Sequence, residues 1–141
     1  MQSIKLLVDY AIFGVLGFMS ILAFAYAFER WFFYHRINLS RYTVAEILEN
    51  DLTKNLTALS IISSNAPYIG LLGTVVGIMI TFYDMGQAGT IDSKVILVGL
   101  SLALKATAFG LVVAIPSLII YTACLRKCDV LLARWKADHA S

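Results

Sequence analysis

The chain alternates between long uncharged apolar stretches and shorter segments that carry nearly all of the charge. A membrane-spanning helix needs about 20 predominantly apolar residues, and three stretches meet that requirement. The first runs without a charge from Tyr10 to Phe28, the second from Asn55 to Tyr83, and the third from Val95 to Leu125 with Lys105 as its one charge. The pattern predicts an all-α membrane protein with three transmembrane helices.

The second and third apolar stretches are longer than a membrane requires. Each is close to 30 residues long, which corresponds to about 45 Å of helix against a hydrocarbon core of about 30 Å. The part of the second stretch from Leu56 to Asn65 carries several hydroxyl and amide side chains. We therefore expect these two helices to extend into the cytoplasm beside a partner helix rather than to tilt within the bilayer.

The distribution of basic residues predicts the orientation of the chain. Four basic residues lie in the connection 30–54 and four in the segment 126–136, against one in the N-terminal segment (Lys5) and one in the second connection (Lys94). Basic segments stay in the cytoplasm, so three spans place the N-terminus in the periplasm and the C-terminus in the cytoplasm. Cleavage of a signal peptide after the small residues at 23–27 would leave two spans and no orientation consistent with this rule. We therefore expect the first helix to be retained.

These considerations predict seven segments. They are a periplasmic N-terminus (1–9), transmembrane helix 1 (10–28), a cytoplasmic amphipathic segment (29–65), transmembrane helix 2 (66–83), a periplasmic hairpin (84–94), transmembrane helix 3 (95–120) and a cytoplasmic tail (121–141). The hairpin is short and contains glycine, which makes the second and third helices antiparallel neighbours.

The segment between the first two spans has the pattern of an amphipathic helix. Thr43 and Glu46 have the spacing of a capping box that opens a helix. Apolar residues then recur at helical spacing up to Leu59, so the helix is predicted to lead directly into the second span. Its polar face is not markedly basic, which favours packing against its own protein over lying on lipid.

Composition excludes several classes of protein. The chain is 60% hydrophobic and 14% charged, against about 45–50% and about 25% in soluble domains, so neither a freestanding soluble enzyme nor a disordered chain is compatible with it. A net charge of +2 does not indicate nucleic-acid binding. His35 and His139 lie far apart, and Cys124 and Cys128 are expected to be plain thiols, so the sequence predicts no metal and no cofactor.

Small residues recur at helical spacing on both of the long spans. Gly70, Gly73 and Gly77 share one side of the second span, and the last two form a GxxxG spacing; Gly110 and Ala114 continue the same pattern on the third. Such stripes allow membrane helices to approach closely. We therefore predict that these residues pack helix against helix.

Two threonines and one lysine are the polar candidates deep in the spans. Thr74 and Thr107 each place a hydroxyl in the membrane, where it bonds either to its own backbone or to a partner along a polar path. Lys105 either extends its side chain toward the surface or forms an ion pair with an acid on another chain, and a two-residue spacing puts it on a different face from Thr107. Asp9 and the Glu29-Arg30 pair are expected at the water-exposed ends of the first span, which leaves no carboxylate in a span interior to carry protons.

Two runs in the chain resemble the signatures of a known family. Residues 64–82, SNAPYIGLLGTVVGIMITF, and residues 104–121, LKATAFGLVVAIPSLIIY, look like the second-span and third-span signatures of the ExbB/TolQ/MotA proton-channel family, in the same order and separated by a similarly short hairpin. The lack of a large cytoplasmic domain between the first two spans resembles short ExbB members more than MotA.

The resemblance implies a ring oligomer in the bacterial inner membrane. In the family, several copies, usually five, enclose the transmembrane helices of an ExbD-like subunit whose aspartate carries the proton, and the motion energises a TonB-like protein for uptake across the outer membrane. Thr74 and Thr107 match the pore-lining threonines of the family. Many members have a glutamate five residues before the second threonine; here that residue is Leu102, which assigns the proton carrier to the partner and leaves Lys105 as a candidate for pairing with an acid of that partner.

Two other functions are compatible with the same sequence. A TolQ-like subunit would serve envelope integrity through the same physics with different partners. A membrane scaffold without ion flow would not respond to loss of the membrane potential.

Overall fold

The computed structural model describes residues 2–140, which form long helices joined by short turns. The elements are α1 (Gln2–Arg36), a 3₁₀ turn (Leu39–Arg41), α2 (Ala45–Thr53), α3 (Leu56–Ala88) and α4 (Ser93–His139). The helices α1, α3 and α4 are each long and apolar enough to cross a membrane. The prediction of an all-α chain with three candidate membrane spans is therefore confirmed.

The helices α3 and α4 are longer than a bilayer is thick. They contain 33 and 47 residues, or about 50 Å and about 70 Å of helix against a hydrocarbon core of about 30 Å. Both helices include residues that were predicted to belong to the hairpin (84–94), and α4 also includes most of the predicted tail (121–141). The reversal between them is confined to residues 89–92, where Gly89 adopts a left-handed φ of 73° and the Asp92 side chain accepts a hydrogen bond from the Lys94 amide at 3.0 Å.

The helix α1 lies over the groove between α3 and α4. Its buried side chains Ile12, Leu16 and Ala23 form the inner face. Ile12 contacts Gly73 of α3, and the rings of Phe13 and Phe109 meet edge to face at 5.3 Å between centroids. Because α1 and α4 run in the same direction, this contact fixes the register of one helix along the other.

The helix α2 packs against its own protein, as predicted, but it begins and ends differently. Its N-cap residue is Val44 in an extended conformation without a side-chain cap, so the capping box of Thr43 and Glu46 is a wrong prediction: the residue that turns into the helix is one position later. The helix also does not lead directly into α3, because Asn55 adopts a left-handed φ of 69° between them. Asparagine tolerates this conformation better than most residues, and its side-chain amide donates to Glu29 Oε2 at 3.0 Å.

A small hydrophobic core fastens α2 at the cytoplasmic end predicted for the bundle. Leu48 and Leu52 of α2 are fully buried and belong to one cluster with Leu131 and Trp135 of α4. The Trp135 indole donates to the Tyr42 carbonyl at 3.0 Å. The Tyr42 hydroxyl donates to Asp51 Oδ2 at 2.7 Å, and this hydrogen bond to a carboxylate raises the pKa of the Tyr42 phenol.

Arg30 is buried, which contradicts the expectation that the Glu29-Arg30 pair would be in water. Only 1% of the arginine is exposed. Its Nη1 donates to the carbonyls of Asp51 at 2.7 Å and Leu52 at 3.2 Å, its other nitrogens donate to the Glu29 carboxylate, and its guanidinium lies 4.3 Å from the centre of the Phe33 ring. The last carbonyls of a helix have no partner within that helix. Arg30 therefore caps the C-terminus of α2 and attaches it to α1.

We predict that Arg30→Met detaches α2. The substitution removes hydrogen bonds from a charged donor, which contribute about 1.5–3 kcal/mol each, so we expect the free energy of unfolding in detergent to fall by about 2–3 kcal/mol. Amide hydrogen exchange in residues 45–53 should accelerate markedly. Arg36→Met is the matched control because Arg36 is exposed at the end of the same helix. Equal effects of the two variants would contradict the capping role of Arg30.

Candidate functional site

Glycines bring the backbones of α3 and α4 into direct contact. A Cβ atom added at Gly70 would lie 2.6 Å from the Ala106 carbonyl oxygen, and one added at Gly110 would lie 2.6 Å from the Ala66 carbonyl oxygen. Real Cβ atoms do not approach other atoms this closely. The two helices can therefore pack at this distance only with glycine at both positions.

The other predicted packing residues lie along the same contact. A Cβ at Gly73 would be 2.8 Å from the Ala106 Cβ, one at Gly77 would be 3.1 Å from the Ala103 Cβ, and Ala114 is buried on α4. Gly99, which was not among the predicted packing residues, belongs to the same contact, because an added Cβ there would lie 2.5 Å from Thr81 Oγ1. Gly99 lies four residues before Ala103, so it continues the row of small residues on α4, and this spacing could have identified it from the sequence.

The two threonines meet inside this contact. Thr74 is buried and Thr107 is half-buried, and their Oγ1 atoms form a short hydrogen bond across the helix pair. Thr74 Oγ1 also donates to the Ala103 carbonyl of α4 at 2.8 Å. The two hydroxyls are therefore turned toward each other between α3 and α4, and we call them the threonine pair.

The threonine pair can be hydrogen-bonded in two directions. Each hydroxyl has one proton to donate. In one arrangement Thr107 donates to Thr74, which donates to the Ala103 carbonyl; in the other Thr74 donates to Thr107, which donates to the Gly70 carbonyl, 3.4 Å from its oxygen. The pair can thus orient hydrogen bonds either way along the contact, but an alcohol does not hold a charge near neutral pH. Any charge that moves here has to be carried by another group.

Lys105 lies on a different side of α4 from the threonine pair. It is exposed, whereas Thr107 packs toward α3. It precedes Phe109 by one helical turn, and Asp9 precedes Phe13 by one turn on α1. Since Phe13 and Phe109 are in contact, the register places the half-buried Asp9 at about the depth of Lys105, deeper than the predicted bounds of the first span imply. Asp9 could not be identified from the sequence as a residue level with Lys105, because its depth depends on how the helices pack.

Ion pairs and candidate metal ligands are scarce in residues 2–140. Within this range the structure contains one salt bridge, between Arg30 and Glu29. In the same residues no group of three or more His, Cys, Asp or Glu side chains could hold a metal ion. The charged groups at this depth are therefore Lys105 and Asp9, and the threonine pair joins α3 to α4 beside them.

Comparison with known proteins gives a consistent result. A family model for the MotA/TolQ/ExbB proton channel family matches residues 25–137. The Biopolymer transport protein ExbB of Helicobacter pylori is 56% identical over 136 residues, covering 96% of this chain and 94% of that protein. The Biopolymer transport protein ExbB of Aquifex aeolicus is 48% identical over 139 residues, covering 99% of this chain and 94% of that protein.

We predict that alanine at Gly70 or Gly110 destabilises the helix pair. The added methyl meets backbone, which cannot move away as a flexible side chain can, so we expect a loss of about 1–3 kcal/mol, the usual effect of overpacking. Gly17→Ala is the control, because a Cβ there has no neighbour within 4 Å and alanine favours helix. The measurement is denaturation of the purified protein in detergent, followed by circular dichroism. Stability unchanged in Gly70→Ala and Gly110→Ala would contradict the close contact.

Proposed function

This chain belongs to the MotA/TolQ/ExbB proton channel family, and on that premise we propose that it is the channel-forming subunit of an inner-membrane motor driven by the proton motive force. Membership in the family and three helices capable of spanning make it a multi-pass inner-membrane protein. Relatives named as biopolymer transport protein ExbB support an ExbB-type role in the TonB system rather than a TolQ-type or purely structural one. The N-terminus lies in the periplasm and the C-terminus in the cytoplasm, and the chain has no enzymatic activity of its own.

The channel is a ring of identical subunits, and we propose five, the usual number in the family. A chain of this length leaves many large apolar side chains of α3 and α4 exposed, among them Leu71, Val75, Met79, Leu104 and Ile115. Contiguous apolar surface of this kind is covered either by lipid or by neighbouring subunits. The length of α3 and α4 beyond the bilayer supports neighbouring subunits, because the helices need cover outside the membrane as well.

The acid that carries the proton belongs to a partner subunit enclosed by the ring, which we call the guest. The threonine pair supplies hydrogen bonds but no charge, and proton relays in membranes use Asp, Glu or His. We assign the carrier to an aspartate of an ExbD-like subunit whose helix the ring encloses. Lys105 is exposed on α4 and pairs with an acidic group of that partner. Asp9 is the less suitable partner for Lys105 because it is half-buried on α1 and, in the described residues, forms no salt bridge with Lys105.

The threonine pair then supplies the hydroxyl groups with which the proton-carrying acid forms hydrogen bonds. A carboxylate that turns past an apolar wall has to be neutral, so the guest acid takes up a proton before it moves. The membrane potential supplies about 2.3 kcal/mol per proton per 100 mV. A hydroxyl pair that can reverse its hydrogen bonds accepts from the neutral acid and donates to the ionised one. The observation that carries this proposal is the partly buried hydrogen bond between Thr74 and Thr107 across two spans. Repeated turning of the guest moves it against the ring and energises a TonB-like protein, which drives uptake through outer-membrane receptors.

We predict that Thr74→Val together with Thr107→Val abolishes energised uptake while leaving assembly intact. Valine keeps the shape of threonine and removes the hydroxyl, so receptor-dependent uptake in cells should fall to the level seen after a protonophore. Thr74→Ser with Thr107→Ser should retain most of the activity. Thr81→Val is the matched control, since that hydroxyl bonds to the Gly77 carbonyl of its own helix at 3.0 Å. Normal uptake in the double valine variant would remove the threonine pair from the path.

We further predict that the chain alone conducts few protons. In liposomes with an internal pH dye and an imposed potential, the purified chain should leak little, and co-reconstitution with its ExbD-like partner should raise the flux at least about tenfold. Native mass spectrometry of the same sample gives the subunit count. High conductance of the chain alone would place the proton carrier in this subunit, and the absence of any flux from the purified complex would favour a scaffold.

A further inference from the structure

A large open cavity lies between α1 and α4, away from the threonine pair. Its volume is about 620 Å³. One wall is formed by α1 from Phe24 to His35 and the other by α4 from Ile120 to Lys127. We call this cavity the α1–α4 groove. The site proposed for proton transfer uses none of these residues.

The chemistry of the α1–α4 groove changes from one end to the other. Phe24, Phe28 and Ile120 line the end toward the membrane interior, and the two phenylalanines are more than half exposed. His35 and Lys127 line the opposite end, at the basic side of the bundle. Trp31 lies between these two ends and is 54% exposed. The groove therefore has an apolar floor and a cationic mouth.

The length of the groove matches one leaflet of a bilayer. Phe24 and His35 are eleven residues apart on one helix, which is about 16 Å at 1.5 Å per residue. Half of a hydrocarbon core of about 30 Å is about 15 Å. The apolar end therefore lies near the middle of the bilayer when the cationic mouth lies at the level of the headgroups.

We propose that the α1–α4 groove binds one acyl chain of an anionic phospholipid, with Lys127 as the ligand of its phosphate. An aliphatic chain fits the apolar walls, and a phosphate complements the ammonium of Lys127, which Arg126 and Arg36 reinforce with further positive charge nearby. His35 supplies a ring nitrogen as a second polar contact at the mouth. In the orientation proposed above the lipid comes from the cytoplasmic leaflet, but binding itself does not depend on proton transfer.

A helix from a second copy fits the groove less well. A helix packed over the groove would bury the ammonium of Lys127 at its mouth, which costs free energy unless an acidic partner neutralises the charge. A single acyl chain is far narrower than a helix. The lysine at the mouth also favours an anionic headgroup over an apolar helix surface.

Quenching of Trp31 by brominated lipids tests the proposal. The full chain is reconstituted in phosphatidylcholine bilayers that contain either dibrominated phosphatidylglycerol or dibrominated phosphatidylcholine at the same mole fraction. Trp31→Phe provides the signal of Trp135, which is buried in the cytoplasmic core, for subtraction. We expect the brominated anionic lipid to quench Trp31 at least about twofold more efficiently than the zwitterionic one.

Two variants separate the headgroup contact from the apolar contact. Lys127→Gln should bring the two lipids to equal quenching, whereas Lys136→Gln, the same change at an exposed lysine of the same helix, should leave the preference intact. Ala123→Phe fills the groove and should reduce quenching by both lipids, with helix content checked by circular dichroism. Equal quenching in the unmodified chain, a preference that survives Lys127→Gln, or a Trp31 that neither lipid quenches would overturn the proposal.

Discussion

The structure depends on one close approach, the contact of the α3 and α4 backbones at Gly70 and Gly110. In lipid, an apolar side chain gains little by exchanging a hydrocarbon neighbour for another side chain. Helices in a bilayer are held together by van der Waals contact over short distances and by hydrogen bonds between them. The glycines supply the van der Waals contact, because only backbone atoms lie between the axes of α3 and α4 at Gly70 and Gly110.

The hydrogen bonds between the spans follow from that approach. Without a neighbour, the hydroxyl of Thr74 would bond to the Gly70 carbonyl of its own helix, which is 3.4 Å away, as lone membrane threonines usually do. Because α4 lies so close, the hydroxyl instead reaches the Ala103 carbonyl and Thr107. The packing residues and the polar residues of the spans therefore form a single arrangement, in which the glycines set the distance and the threonines respond to it.

Much of this arrangement could be predicted from the sequence, because its signals are local or periodic. Uncharged length predicts the spans, and small residues at steps of three and four predict the contact face. The burial of Arg30 could not be predicted in this way, because its acceptors Asp51 and Leu52 lie more than 20 residues further along the chain. The left-handed conformation of Asn55 and the depth of Asp9 could not be predicted for the same reason. Both depend on which helix packs beside the residue. Thr74 and Thr107 could be identified by residue type. Their contact with each other could not, because it depends on how α3 and α4 are aligned along one another.

The two ends of α4 belong to different kinds of structure, and this division explains how the membrane part tolerates polar groups. Toward its C-terminus α4 packs Leu131 and Trp135 against α2 in a conventional hydrophobic core, where burial from water drives association. Within the spans α4 relies on the close contact with α3 at the glycines and on a few hydrogen bonds. Since α4 is one helix from Ser93 to His139, the core around Leu131 and Trp135 helps to hold the contact at the glycines in register. The exposed apolar faces, the threonine pair and Lys105 lie on the part of α3 and α4 that the glycine contact holds together, and the core near the C-terminus of α4 adds to that stability.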